Sequence, residues 1–215
     1  MSDRTDMRDL ADLLRGTKGD GALDGEVIAI LSDPLVLDQV ERLEGMMQAF
    51  KLRLGQQFLE QLRARLVQAA ERAPEHWQFV ESARVETTLG LRPTGQLGRF
   101  TEDFALVFAF ATSPGLPFTE PWVGISTTPR AHDRIKADIF ERTQSAFADA
   151  KRADPSAWWV QWARVPNWPD VSRPRNLAAL VGARRDSLVD QVAGWITGLA
   201  PAVEDILRHE AGDGW

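Results

Sequence analysis

No cysteine occurs anywhere in the 215-residue chain. Disulfides, thiolate nucleophiles, zinc ribbons and cysteine-held iron–sulfur clusters are excluded together. Their absence also fits a reducing compartment. Histidine is nearly as scarce. His76, His132 and His209 lie far apart in sequence, with no His-Glu-x-x-His or other paired ligand spacing. No metal site and no cofactor are expected. Long apolar runs are missing as well. Nothing approaches the roughly 18 residues of a membrane-crossing helix, and the most apolar stretch, Phe104 to Ala111, reads as a buried strand. The first residues, Met1 to Asp9, are charged, with no apolar segment behind them, so no secretory leader is expected. These absences predict a cytoplasmic chain with no membrane segment.

Excess positive charge is lacking too. Net charge is −6, with 10 basic and 14 acidic side chains in residues 1–75, 3 and 5 in 76–124, and 12 and 12 in 125–215. Sequence-independent nucleic-acid binding needs clustered cations to displace counterions, so any such contact must come from a local patch.

What is present is a 44% hydrophobic composition, enough for a sizeable core, and eight tryptophans against no tyrosine. Asp3 to Arg15 reads as a short helix ended by the glycines at 16, 19 and 21. Glu26 to Leu31 is a brief apolar segment, helical or extended. Ser32-Asp33-Pro34 is a helix start, with a capping side chain ahead of a proline whose missing N–H costs nothing. Apolar residues follow at Val36, Val40, Leu43, Met47, Phe50 and Leu54 in heptad spacing. Phe58, Leu62 and Leu66 then recur every fourth residue, a stutter. Pro74 ends the pattern. A helix over 32–73 would extend about 60 Å, so one end is expected to project or to pair with something.

Beyond Pro74 the period turns towards two. Strands are expected at 76–85, 104–111, 121–126 and 158–164, with a glycine-rich loop over 89–98. Helices are expected from Thr128 to about Arg152, over 176–181 and from Asp186 to His209. The fold class is therefore α+β: a long N-terminal amphipathic helix packed on a small antiparallel sheet with C-terminal helices. Residues 1–31 are expected to form an N-terminal helical segment and 32–215 a single domain.

Catalytic signatures do not appear. Gly90-x4-Gly95-x2-Gly98 lacks the Lys-Ser/Thr of a phosphate-binding loop and does not match a dinucleotide fingerprint. There is no Gly-x-Ser-x-Gly elbow. The one Asp-x-Lys, Asp149-Ala-Lys151, falls on an expected helix rather than on the strand that two-acid metal chemistry requires. Trp158, Trp159, Trp162 and Trp168 lie close to Arg164, Arg173, Arg175, Arg184 and Arg185. The cluster fills a helix–sheet seam or offers a stacking platform beside phosphate-binding cations.

The order of these elements carries a resemblance. A long helix ends near Trp77, a short meander follows, then Trp122-Val-Gly-Ile-Ser126, a helix, Trp158-Trp-Val-Gln-Trp-Ala-Arg164, a Trp168-Pro169 break and a closing helix with Trp195. Over about residues 35–209 this resembles the C-terminal module of bacterial and phage-defence proteins that carry a PD-(D/E)XK nuclease domain upstream. The nuclease half, with its Asp and Glu-x-Lys on neighbouring strands, has no counterpart among these residues. The resemblance implies an accessory or recognition module and carries over no catalytic residue.

Three readings follow. The first is a non-catalytic interaction module that docks a protein partner, or a second copy, through Val36, Val40, Leu43, Met47, Phe50 and Leu54. The second is a nucleic-acid-associated protein using Trp168, Arg173, Arg175, Arg184 and Arg185. The third is an enzyme with an unfamiliar carboxylate site.

Overall fold

The computed structural model describes residues 33–83, 86–111, 121–147, 156–171 and 173–212. The helix expected over 3–15 and the apolar segment at 26–31 lie outside them. The chain divides into two compact units, Met1–Phe50 and Lys51–Trp215. The division falls inside the long helix rather than at the 31/32 boundary expected from the sequence.

Helix α1 runs Pro34–Arg72. Its start is capped as the sequence implies. The Asp33 carboxylate accepts the Leu35 N–H at 2.8 Å, and the Asp33 carbonyl accepts the Leu37 N–H at 2.9 Å. In the second unit the helix buries Leu54, Phe58, Leu62, Leu66 and Ala70, each 7% exposed or less. The run of fours is thus the stripe that faces the core. Each large side chain in it contributes about 1.5–3 kcal/mol relative to exposure.

The stripe lies on a five-stranded sheet made of β1 (Trp77–Ala83), β2 (Glu86–Pro93), β3 (Phe104–Ala111), β4 (Trp122–Thr127) and β5 (Trp159–Arg164). Spatial order equals sequence order, and every neighbouring pair is antiparallel. β3 is central. All its side chains from Phe104 to Phe110 are buried, which explains its unbroken apolar run. The α+β architecture expected from the sequence is therefore present.

β2 is a correction, because 89–98 reads as loop. The chain is extended as far as Pro93, and only then turns into a 3-10 helix, Gly95–Phe100. Gly90 is not a turn residue. A Cβ there would sit 2.1 Å from the Leu106 carbonyl oxygen, so glycine permits the close approach of β2 and β3. Gly124 does the same for β4 and β5, where a Cβ would lie 2.6 Å from Trp162 Cβ.

Between β4 and β5 lies α2 (Asp133–Thr143), followed by a 3-10 turn, Gln144–Phe147. The sequence places the start of this helix at Thr128. His132 is the capping residue instead, its ring nitrogen accepting the Arg134 N–H at 3.3 Å. After a 3-10 segment, Pro174–Leu180, α3 runs Gly182–Gly212 and buries Leu188, Val192, Ile196, Leu199, Val203 and Leu207.

Cross-strand partners share a sheet face. Phe108 pairs with Val123 and Val123 with Ala163, which fixes one face; Ala109 pairs with Trp122 and Gly124 with Trp162, which fixes the other. The helices of the second unit lie on the Phe108 face. The Phe58 ring of α1 is 5.7 Å from Phe108. From α2, Thr143 Oγ1 lies 3.2 Å from Gln161 Oε1, and Gln161 shares the Phe108 face. α3 packs against α1 through Arg185, which donates to Gln57 at 2.8 Å and Gln61 at 3.0 Å, and through the Arg65–Asp190 pair at 3.0 Å. β1 is held to α3 by Glu204. Its carboxylate accepts from Trp77 Nε1 at 3.1 Å and from Arg208 at 2.6 Å, and lies 3.2 Å from His76 Nδ1.

Candidate interaction face

The first half of α1 differs from the second. Over 33–50 no residue is buried. Leu35 is 74% exposed, Met46 68%, Leu37 50%, Phe50 47% and Leu43 44%. At 3.6 residues per turn, Leu35, Met46, Phe50 and Leu43 fall within roughly 80° of arc, and Val36, Met47 and Val40 continue the same side to roughly 140°. Val36, Val40 and Met47 are half-buried. The result is a largely apolar side, with the exposed Gln39 in the same arc, whose most prominent members project into solvent.

The residues expected at a partner interface therefore divide. Leu43 and Phe50 are exposed, while Val36, Val40 and Met47 border them. Leu54 is a correction: at 5% exposure it belongs to the core of the second unit and has no surface to offer a partner. Leu35 and Met46 are members that heptad spacing misses. They are eleven residues apart, or three turns of an unsupercoiled helix, so a 3.6-residue period finds them where a 3.5-residue period does not.

The charged groups along this stretch are Asp33, Asp38, Glu41 and Glu44 against Arg42 alone. Arg42 is already paired with Asp38 at 3.1 Å. The Asp38–Arg42 ion pair lies on one flank of the apolar side, with Arg42 nearer to it, and Glu44 lies on the other flank.

The residues expected to touch nucleic acid do not form one surface. The Trp168 ring lies between Phe58 and Phe108, with centroids 5.2 and 6.0 Å away, so it serves the core side of the sheet. Its remaining edge, with Arg164 and Asp170, lines a cleft of about 300 Å³. Arg173 pairs with Asp170 at 3.1 Å, and Arg185 is held by Gln57, Gln61 and Asp186. Arg184 is exposed at the start of α3, and the Arg175 side chain lies outside the described residues. The tryptophan run itself separates. Trp159 and Trp162 pack with Trp122 at 5.9 to 6.5 Å on the opposite sheet face, and Trp158 is 61% exposed. A one-residue bulge between Ile125 and Ser126 brings Trp159 to this face.

Carboxylates gather in a cleft of about 590 Å³ between α2 and α3, lined by Asp138, Glu141, Asp205 and Glu210 with Arg142 and His209. Arg134 stands 3.9 Å from both Asp138 and Glu210, so cations are interleaved with the acids. Among the described residues no group of three or more His, Asp or Glu could hold a metal ion. No described helix is long and apolar enough to cross a membrane. Asp149-Ala-Lys151 lies outside the described residues. Comparison of the chain with protein-family models, with curated proteins and with solved structures gives no match.

Proposed function

We propose that the chain is a non-catalytic interaction module, an accessory protein that docks a protein partner through the first half of α1. One observation carries the reading: Leu35, Leu43, Met46 and Phe50 form one exposed apolar side on a single helix. Scattered apolar residues are ordinary on a surface, but contiguous large ones mark contact sites. A helix laying such a side into a partner's groove, with anchors spaced along successive turns, is a common mode of recognition. An accessory role is also what the resemblance to modules of nuclease-bearing defence proteins implies.

The test compares the full chain with Leu43→Asp and Phe50→Asp. Both positions are solvent-exposed, so both variants are expected to fold with wild-type circular dichroism. Association, with a partner or with itself, is then read by light scattering and titration. The reading expects the two variants to lose it. Association that survives both substitutions overturns the reading.

A further inference from the structure

We infer that the partner is an amphipathic helix whose apolar stripe is flanked by cations. This rests on the interaction reading above and names the chemistry of what that face takes. The charge that borders the face selects such a partner. Over residues 33–50 four carboxylates stand against one guanidinium, and that guanidinium is paired with Asp38. Glu44 borders the side formed by Val40 and Met47. On the side formed by Leu35, Arg42 is neutralised by Asp38, which lies just beyond it. A groove-forming or pairing helix that covers Leu35, Leu43, Met46 and Phe50 sets its own flanking side chains against these acids. Opposite charge at such flanking positions selects the partner, and like charge excludes it.

The same charges argue against the other occupants. A second copy paired over 33–50 brings two net-negative stretches together, which like-charge juxtaposition opposes. A bilayer surface is opposed for the same reason. Helices that lie on membranes carry Lys and Arg on the polar face, which anionic headgroups attract. This helix carries Asp and Glu there.

The experiment titrates the full chain with two labelled 18-residue peptides, read by fluorescence anisotropy. Both carry the same leucine stripe at helical spacing; one has lysine flanks and the other glutamate flanks. The inference expects the lysine peptide to bind at least tenfold more tightly and to weaken as salt rises. It expects Leu43→Asp and Phe50→Asp to abolish that binding. It expects the double variant Asp38→Lys with Glu44→Lys to reverse the preference towards the glutamate peptide, a result that non-specific attraction to a net-negative protein does not give. Equal binding of both peptides, lost in Leu43→Asp and Phe50→Asp, overturns the charge inference and leaves the interaction reading standing. Binding of neither peptide, with the chain monomeric by sedimentation, overturns both. A dimer that Phe50→Asp dissociates makes a second copy the occupant and overturns the inference. Sedimentation with phosphatidylserine vesicles does so in favour of a membrane surface.

Discussion

The Trp168 ring meets the Phe58 ring edge-on, with centroids 5.2 Å apart and planes at 85°. This contact joins the second half of α1 to the segment after β5, and Phe108 of the central strand closes the cluster from below at 5.7 and 6.0 Å. Phe58 is fully buried. Phe58→Ala is expected to cost about 3–5 kcal/mol of stability. Chemical denaturation measures this as a lowered midpoint, and a midpoint within experimental error of wild type would show that the cluster does not hold the helix to the sheet.

Glu204 satisfies a buried donor. Trp77 is 4% exposed, and its indole N–H donates to the Glu204 carboxylate. Glu204→Ala removes that acceptor along with the partner of His76 and Arg208. The stranded N–H alone is expected to cost about 1–3 kcal/mol. Pairing the change with Trp77→Phe, which deletes the donor, separates this cost from the loss of the contacts to His76 and Arg208: the part of the penalty of Glu204→Ala that comes from the stranded N–H is expected to vanish in the Trp77→Phe background.

Gly90 and Gly98 make a matched pair of substitutions. A Cβ at Gly90 meets the Leu106 carbonyl oxygen and the Val107 side chain, whereas a Cβ at Gly98 meets nothing within 4 Å. Gly90→Ala is expected to destabilise by about 1–3 kcal/mol through forced separation of β2 and β3. Gly98→Ala is expected to stay within roughly 0.5 kcal/mol of wild type. Similar thermal midpoints for the two would contradict the close approach of the strands.

Gln161 is fully buried, and its Nε2 has no hydrogen-bond partner among the described residues, while its Oε1 lies 3.2 Å from Thr143 Oγ1. Thr143 Oγ1 also lies 2.7 Å from the Ile139 carbonyl, so its hydroxyl keeps an acceptor without Gln161. Gln161→Met replaces the amide by an apolar group of similar length. It is expected to be neutral or to raise stability by up to about 1 kcal/mol, read from the urea midpoint.

Much of the scaffold is legible in the sequence because it is encoded locally. Asp33-Pro34 starts α1, the run from Phe58 to Leu66 marks its core face, and Phe104 to Phe110 is apolar at every position because β3 is covered on both sides. β2 is hidden for a non-local reason. Gly90 and Pro93 have the composition of a loop, and only the Leu106 backbone opposite shows why a glycine belongs in the strand. The tryptophans are hidden in the same way. Nothing near Trp168 in sequence signals that Phe58, more than a hundred residues earlier, will occupy its ring, so it cannot be sorted from Trp159 and Trp162 without the register of β4 and β5. The candidate face is half legible. Spacing shows that Leu43 and Phe50 share a side, but whether anything lies on that side depends on residues distant in sequence. Leu54 has the same heptad phase and is covered.

The order of the sheet has a consequence for how it assembles. β1 to β4 follow one another with ten residues or fewer between neighbours, so each of their pairings closes a short span of chain. β5 reaches β4 only after the chain has passed through α2, a longer closure with a larger entropic cost. Trp122 comes from β4, and Trp159 and Trp162 come from β5. Their rings approach one another only when that last pairing forms, so the chain carries its own optical probe of sheet completion. In stopped-flow refolding, a tryptophan fluorescence phase removed by Trp122→Phe would time the arrival of β5 separately from the hairpins that precede it.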